Sequence, residues 1–175
     1  MKRDVSLWQF AGFSLSSLLG TLLHFLYDWT NEALVTAPFS GVNESTWEHM
    51  KLLFVPLFIF ALIQCRFFKD YGNFWCIKLV GIVAGLITIP VLFYTYNGVF
   101  GKSPDWVNIT TFFIAAAVAF WLEARLLKNN RLRCRCSRLC FLVLCLIGIL
   151  FVVFTFVTPK IPLFQDPLTG EYGIK

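Results

Sequence analysis

Leu79 to Gly101 reads LVGIVAGLITIPVLFYTYNGVFG, 23 residues without a charge. A bilayer core about 30 Å thick needs roughly 20 helical residues to cross. This run meets that length, and four other stretches approach it. Val5 to Leu23 carries no charge, and its apolar character continues to Trp29. Leu52 to Cys65, Trp106 to Leu122 and Leu139 to Pro159 complete the set. Over all 175 residues, 58% are apolar and only 14% charged, with a mean hydropathy of +0.71. Soluble domains carry nearer 25% charge. The composition therefore excludes an ordinary soluble enzyme, a disordered chain and a nucleic-acid-binding domain.

Backbone polar groups cannot go unsatisfied in lipid, so the five stretches should be helices. The alternation of a membrane barrel is absent. The sequence predicts an all-α integral membrane bundle of five transmembrane helices, spanning about 6–29, 45–67, 75–98, 106–126 and 138–158, in a single domain. The second uncharged run is only 14 residues long, which leaves a re-entrant segment as the alternative. Ser45-Thr46-Trp47-Glu48 reads as a capping box, however, and starts that helix early enough for a full span. Met1-Lys2-Arg3 before an apolar run resembles a signal peptide. No A-x-A cleavage pattern follows, so the run is read as an uncleaved span.

Lys and Arg gather in cytoplasmic loops. With the N-terminus inside, the inner segments hold Lys2, Arg3, Arg66, Lys69, Lys78, Arg125, Lys128, Arg131, Arg133, Arg135 and Arg138. The outer ones hold Lys51, Lys102, Lys160 and Lys175. Eleven against four favours N-inside and C-outside. The loop Arg125–Arg138 should then lie on anionic headgroups. All six cysteines, Cys65, Cys76, Cys134, Cys136, Cys140 and Cys145, fall on the inner half, where a reducing cytoplasm keeps thiols. Cys134-x-Cys136-x3-Cys140 has the makings of a soft-metal site, but small apolar or acylated residues at a membrane boundary are the plainer reading.

Polar groups in a span usually face protein or water. In the first helix Ser14, Ser17, Thr21, His24 and Asp28 share one face, and Gly12, Ser16 and Gly20 form a small-residue pattern on the other. Both faces suit protein contact, which places this helix centrally. His24 and Asp28 are one turn apart and can meet. The second helix opens with Gly41-Val42-Asn43-Glu44-Ser45-Thr46-Trp47-Glu48-His49-Met50-Lys51. The expected depth is the same for His24, Asp28, Glu44, Glu48 and His49, at the outer face. Two imidazoles with carboxylates suit a divalent metal, with His24, His49 and Glu48 as candidate ligands, or an acid–base pair. No spacing such as H-E-x-x-H fixes the chemistry. The plainer reading has Glu44 and Glu48 capping a helix and His49 and Trp47 at headgroup level.

Asn43-Glu44-Ser45 and Asn108-Ile109-Thr110 match the glycosylation sequon, which has meaning only in a eukaryotic secretory pathway. Glu123 has Arg125, Arg66 or Lys78 as possible partners. The tail 159–175 keeps Ile161, Leu163, Phe164, Leu168 and Tyr172 among prolines and glycines, unlike a disordered tail. It is expected to form an ordered, non-helical cover on the outer mouth, bringing Asp166 and Tyr172 to the histidines.

Three motifs, His24-x2-Tyr27-Asp28-Trp29, Asn43-Glu44-Ser45-x-Trp47-Glu48-His49-x-Lys51 and Pro162-Leu163-Phe164-x-Asp166-Pro167-x-Thr169-Gly170-x-Tyr172-Gly173, resemble those of a family of small bacterial membrane proteins of unknown function, mostly from Gram-positive gut and soil bacteria. The resemblance implies a bacterial plasma-membrane location and about five spans. It implies no activity, cofactor or catalytic residue. Three functions follow from the residues: a site for a divalent metal, small polar molecule or lipid headgroup; a noncatalytic accessory or assembly component; and a small transporter subunit. The odd span count and missing internal repeat disfavour the commonest transporter designs, although an oligomer could still form a path.

Overall fold

The computed structural model describes residues 4–129 and 132–174. Lys2, Arg3, Arg131 and Lys175 of the charge count lie outside the described residues. Among the described residues five helices are long and apolar enough to cross a membrane: α1 (Val5–Trp29), α2 (Thr46–Gln64), α3 (Phe74–Phe100), α4 (Asp105–Asn129) and α5 (Ser137–Phe156). A short 3-10 turn, η1 (Pro162–Phe164), lies in the tail.

The helix ends follow local chemistry. The Asp4 carboxylate accepts the Ser6 and Leu7 amides at 2.9 and 3.2 Å, satisfying donors that the first turn leaves open. α1 stops where Asn31 and Glu32 turn left-handed, with φ of 52° and 58°, and the Glu32 amide returns to the Tyr27 carbonyl at 2.9 Å. Ser45 caps α2 through the Glu48 amide, as the capping box predicts. The reciprocal half of that box is different. The Ser45 amide goes to Asn43 Oδ1 at 2.9 Å, which leaves the Glu48 carboxylate free for other partners. Pro56 and Pro90 sit inside α2 and α3 without ending them.

Side-chain contacts set the registers. Trp8 meets Phe60 at one end of the α1–α2 pair and His24 meets His49 at the other, so the two helices are antiparallel. Phe54 on Phe151 and Phe58 on Phe141 do the same for α2 and α5. Lys78 with Glu123, and Gly85 against Ala115, align α3 with α4. One end of the bundle carries the α1–α2 loop and the tail. The opposite end carries the cysteine-rich loop between α4 and α5.

α2 is the central helix. More than half of its most apolar window is buried, 56%, against 33% for α1 and 17% for α5. Its Leu53, Phe54, Leu57 and Phe60 form the core with Ile82, Leu86 and Ile89 of α3, Ala115, Ala119 and Phe120 of α4, and Leu144 and Phe151 of α5. The expectation that α1 is central is therefore corrected. Its buried residues lie mostly on the small-residue face, with Gln9, Gly12, Ser16, Gly20, Leu23 and Tyr27, while of the polar stripe Ser17 is buried and His24 half-buried. Gly12 meets the Phe60 and Phe120 rings, and Gly20 meets Phe112. Ser14, Thr21 and Asp28 of the polar stripe are exposed, and Thr21 Oγ1 satisfies itself on the Ser17 carbonyl at 2.9 Å. A small-residue pattern lets α1 approach α2 and α4 closely; it does not require neighbours all round.

Among the described residues two ion pairs are fully buried. Lys78 Nζ lies 2.6 Å from Glu123 Oε2 and 5.6–5.7 Å from the centres of the Phe60, Phe74 and Phe120 rings. Gly81 makes room for that carboxylate, since a Cβ there would collide with Glu123. Lys51, expected in an outer basic segment, is instead wholly inaccessible. Its Nζ binds Glu48 Oε2 at 2.6 Å, the Ala37 carbonyl at 2.8 Å and Thr155 Oγ1 at 2.8 Å.

The tail is ordered, and its η1 turn departs from the wholly non-helical expectation. Phe164 is buried between Trp47 and Phe154, with ring centres 4.6 and 5.7 Å away. The Gly173 carbonyl accepts from Asn43 Nδ2 at 3.0 Å.

Removing one member of a buried pair leaves the other charge unpaired, at a cost of about 3–5 kcal/mol, whereas replacing both by apolar residues is close to neutral. Glu48→Ala should therefore lower thermal stability in detergent far more than Glu48→Met combined with Lys51→Met. Equal losses would contradict the pairing. Phe164→Ala should cost about 3–5 kcal/mol as a large-to-small change at a packed site and expose the tail to protease. Unchanged protection would show that the tail does not depend on this contact.

Candidate metal centre

The loop between α1 and α2 is pinned along its length. Thr30 and Thr36 hydroxyls bond at 2.9 Å, and Ser40 Oγ donates to the Thr36 carbonyl at 2.7 Å. Lys51 then grips Ala37, and the Val42 amide donates to Glu48 Oε2 at 3.1 Å. Asn43 is held on both sides, by Ser45 and by Gly173 of the tail. Glu44 stands next in line, between Asn43 and the helix cap Ser45. A carboxylate so placed has little backbone freedom, and its side chain is 38% exposed.

Glu44 faces both histidines. Its Oε1 is 3.6 Å from His24 Nε2 and its Oε2 is 3.5 Å from His49 Nε2. The ring centres are 5.7 Å apart. Gly41 passes over His24, where a Cβ would stand 3.7 Å from Nδ1. His49 Nδ1 lies 3.0 Å from the Ser45 carbonyl. A carbonyl only accepts, so Nδ1 carries a proton and donates. In the neutral ring Nε2 then presents its lone pair to a carboxylate oxygen.

The cluster opens into a groove of about 370 Å³ between α1 and α4. Phe25, Leu52, Ile109, Phe112, Phe113 and Leu168 form its apolar part, and Asp105 and Asn108 add polar groups. Among the described residues that line it there is no Lys or Arg.

Of the residues read from the sequence, His24, Glu44 and His49 come together. Glu48 does not join them, because its carboxylate is taken by Lys51 and the Val42 amide, with Thr155 Oγ1 3.4 Å away. Asp28 lies one turn beyond His24 and is exposed. Asp166 is buried in the tail's own turn, accepting the Leu168 amide at 2.8 Å, and Tyr172 bridges to Gln165. The tail reaches the groove through Leu168 instead. Asp105 and Asn108 went unrecognised because nothing in the sequence sets α4 against α1 at that depth. The small residues Gly12 and Gly20, which meet α4 side chains, were the available signal.

A second group lies at the opposite end of the bundle. Cys76 and Cys134 form a disulfide with Cα atoms 6.4 Å apart, and Cys140 Sγ is 3.0 Å from Cys76 Sγ. The expectation of six thiols is corrected for these two. Cys136 is exposed and outside the cluster, and Cys76 takes the place that the local spacing gave it. Pairing across 58 residues depends on how α3 meets the α4–α5 loop, which spacing cannot reveal.

These arrangements set the context for the comparisons with known proteins. No curated protein and no solved structure matches the chain. The chain belongs to the family of unknown function DUF6512, whose model matches residues 1–174.

Proposed function

We propose that this member of the family is a multi-pass protein of the bacterial plasma membrane that holds a divalent cation between His24, Glu44 and His49. In this reading the N-terminus is cytoplasmic, the metal lies at the outer face, and the cation is presented to an amphiphilic ligand in the α1–α4 groove. The observation that carries the proposal is the bond from His49 Nδ1 to the Ser45 carbonyl. It aims the Nε2 lone pair at Glu44 Oε2, and that contact is repulsive unless a proton or a cation lies between them. Protonating both rings would put two imidazoliums 5.7 Å apart over one carboxylate. With His24 in the tautomer that leaves its Nε2 unprotonated, a dication satisfies both lone pairs and the carboxylate at once.

The distances suit this. Ligands about 2.0–2.2 Å from a tetrahedral metal lie roughly 3.3 Å from one another; the imidazoles stand 3.6 and 3.5 Å from the two oxygens of Glu44, and one ligand atom from each residue lies within 4.8 Å of the others. The Ser45 carbonyl supplies the second contact that metal-bound imidazoles use to fix their tautomer. Two imidazoles and one carboxylate leave a coordination position open, as at catalytic rather than structural zinc sites. Asp105 adds negative charge to the groove and favours a cationic occupant. When bound, the metal would act as a Lewis acid toward a polar head, while Phe25, Ile109 and Phe113 hold the apolar part and exclude water.

Purified protein should carry metal by elemental analysis. Zn²⁺ or Mn²⁺ added at about 100 times Kd should stabilise it by about 2.7 kcal/mol in thermal unfolding. His24→Ala, His49→Ala and Glu44→Gln should each abolish that shift, while Asp28→Asn retains it. Acidification should weaken the shift, because protons compete for the imidazole ligands. A metal-free wild type whose melting is indifferent to these ions, with the variants changing basal stability alone, would replace the metal centre by a structural imidazole–carboxylate cluster.

A further inference from the structure

The sulfurs of Cys76, Cys134 and Cys140 come from three separate places: the first turn of α3, the loop after α4 and the first turn of α5. Their proximity has supports other than the disulfide itself. Asn73, three residues before Cys76, donates its side-chain amide to the Leu132 carbonyl at 2.7 Å, two residues before Cys134. Trp75, next to Cys76, packs on Phe141, next to Cys140, with ring centres 4.6 Å apart. Each partner sulfur is therefore held beside Cys76 through a neighbouring residue. Cys76 is buried, whereas Cys134 and Cys140 are partly exposed.

A third sulfur at 3.0 Å from one member of a disulfide is within reach of it for exchange. Exchange runs by attack of a thiolate on one sulfur of a disulfide, with the other sulfur leaving. We propose that Cys76, Cys134 and Cys140 form a thiol–disulfide exchange centre in which the buried Cys76 alternates between two partners. The Cys140 thiolate attacks Cys76 Sγ. The Cys140–Cys76 bond forms, the Cys76–Cys134 bond breaks, and the electron pair of the broken bond stays on Cys134. The proton lost by Cys140 is matched by the one Cys134 takes up. One disulfide and one thiol are present before and after, so the step needs no oxidant or reductant.

The two bridges tie different elements to α3. With Cys134 engaged, the loop carrying Arg133 and Arg135 is fastened to the start of α3. With Cys140 engaged, the bridge joins α3 directly to α5, and the basic loop keeps the Asn73 bond alone of these two ties. Exchange thus changes how firmly a cluster of positive charge is held, and it leaves Cys134 as a partly exposed thiol open to small external thiols and disulfides. The inference rests on no part of the metal-centre reading, which concerns the other end of the bundle; with the N-terminus inside, the sulfurs face the cytoplasm, where a disulfide is transient and redox-sensing rather than a permanent staple.

The test uses the full-length protein in lipid nanodiscs, equilibrated in glutathione buffers of graded redox poise. Samples are acid-quenched, alkylated and mapped by mass spectrometry of non-reduced peptides. Wild type should yield both Cys76–Cys134 and Cys76–Cys140 peptides. Cys134→Ser should convert fully to Cys76–Cys140, Cys140→Ser should show Cys76–Cys134 alone, and Cys136→Ser should match wild type. Absence of the Cys76–Cys140 peptide from wild type at every poise would overturn the proposal, whether or not a variant folds. So would alkylation of both Cys76 and Cys140 in folded Cys134→Ser under conditions that oxidise the wild type. Stoichiometric zinc that shields all three sulfurs from alkylation until it is chelated would also overturn it, in favour of a thiolate metal site.

Discussion

The end of the bundle that carries the histidines depends on the buried pair between Lys51 and Glu48. An ammonium and a carboxylate on adjacent turns of α2 are removed from water and satisfied by groups from elsewhere: the Ala37 carbonyl, the Val42 amide and Thr155 of α5. Burying charge is costly unless every donor and acceptor finds a partner. That requirement fixes where the α1–α2 loop lies. A loop held at Ala37 and Val42 and at the helix cap has one place to put Glu44, between the two imidazoles.

The opposite end repeats the device with different parts. Lys78 and Glu123 are buried between α3 and α4, where Gly81 gives the carboxylate space and three phenylalanine rings face the ammonium. Near this second pair lie the three sulfurs, brought to one place by the starts of α3 and α5. Each end of the bundle therefore joins a rigid charged clamp inside to a reactive cluster nearer the surface. The tail belongs to the first end, where Phe164 packs on Trp47 and Gly173 meets Asn43. It thus braces the same loop that carries Glu44.

Much of this was legible in the sequence, and the failures have physical reasons. Hydropathy displays the helices because each must present an apolar surface to lipid, and Ser45 was visible as a cap because capping is local. His24, Glu44 and His49 could be grouped because two short elements joined by one loop share a depth. The partner of each carboxylate was not legible. Glu44 and Glu48 are one turn apart, and which faces the histidines depends on Lys51, whose basic character suggested an exposed position. Asn43 taking over the Ser45 amide released Glu48 for that role, and no pattern signals such a substitution. Asp28 shares a face with His24 but lies one turn beyond it, exposed and outside the cluster. The cysteines were misjudged for a related reason: compartment and local spacing describe each sulfur, whereas pairing depends on how the start of α3 meets the α4–α5 loop.

The most direct measurement is X-ray absorption at the zinc edge on the zinc-loaded protein in lipid. The account predicts two imidazole nitrogens and at least one carboxylate oxygen at about 2.0–2.2 Å, with the imidazole signal reduced in His49→Ala. A shell of oxygen alone, or one dominated by sulfur at about 2.3 Å, would contradict it.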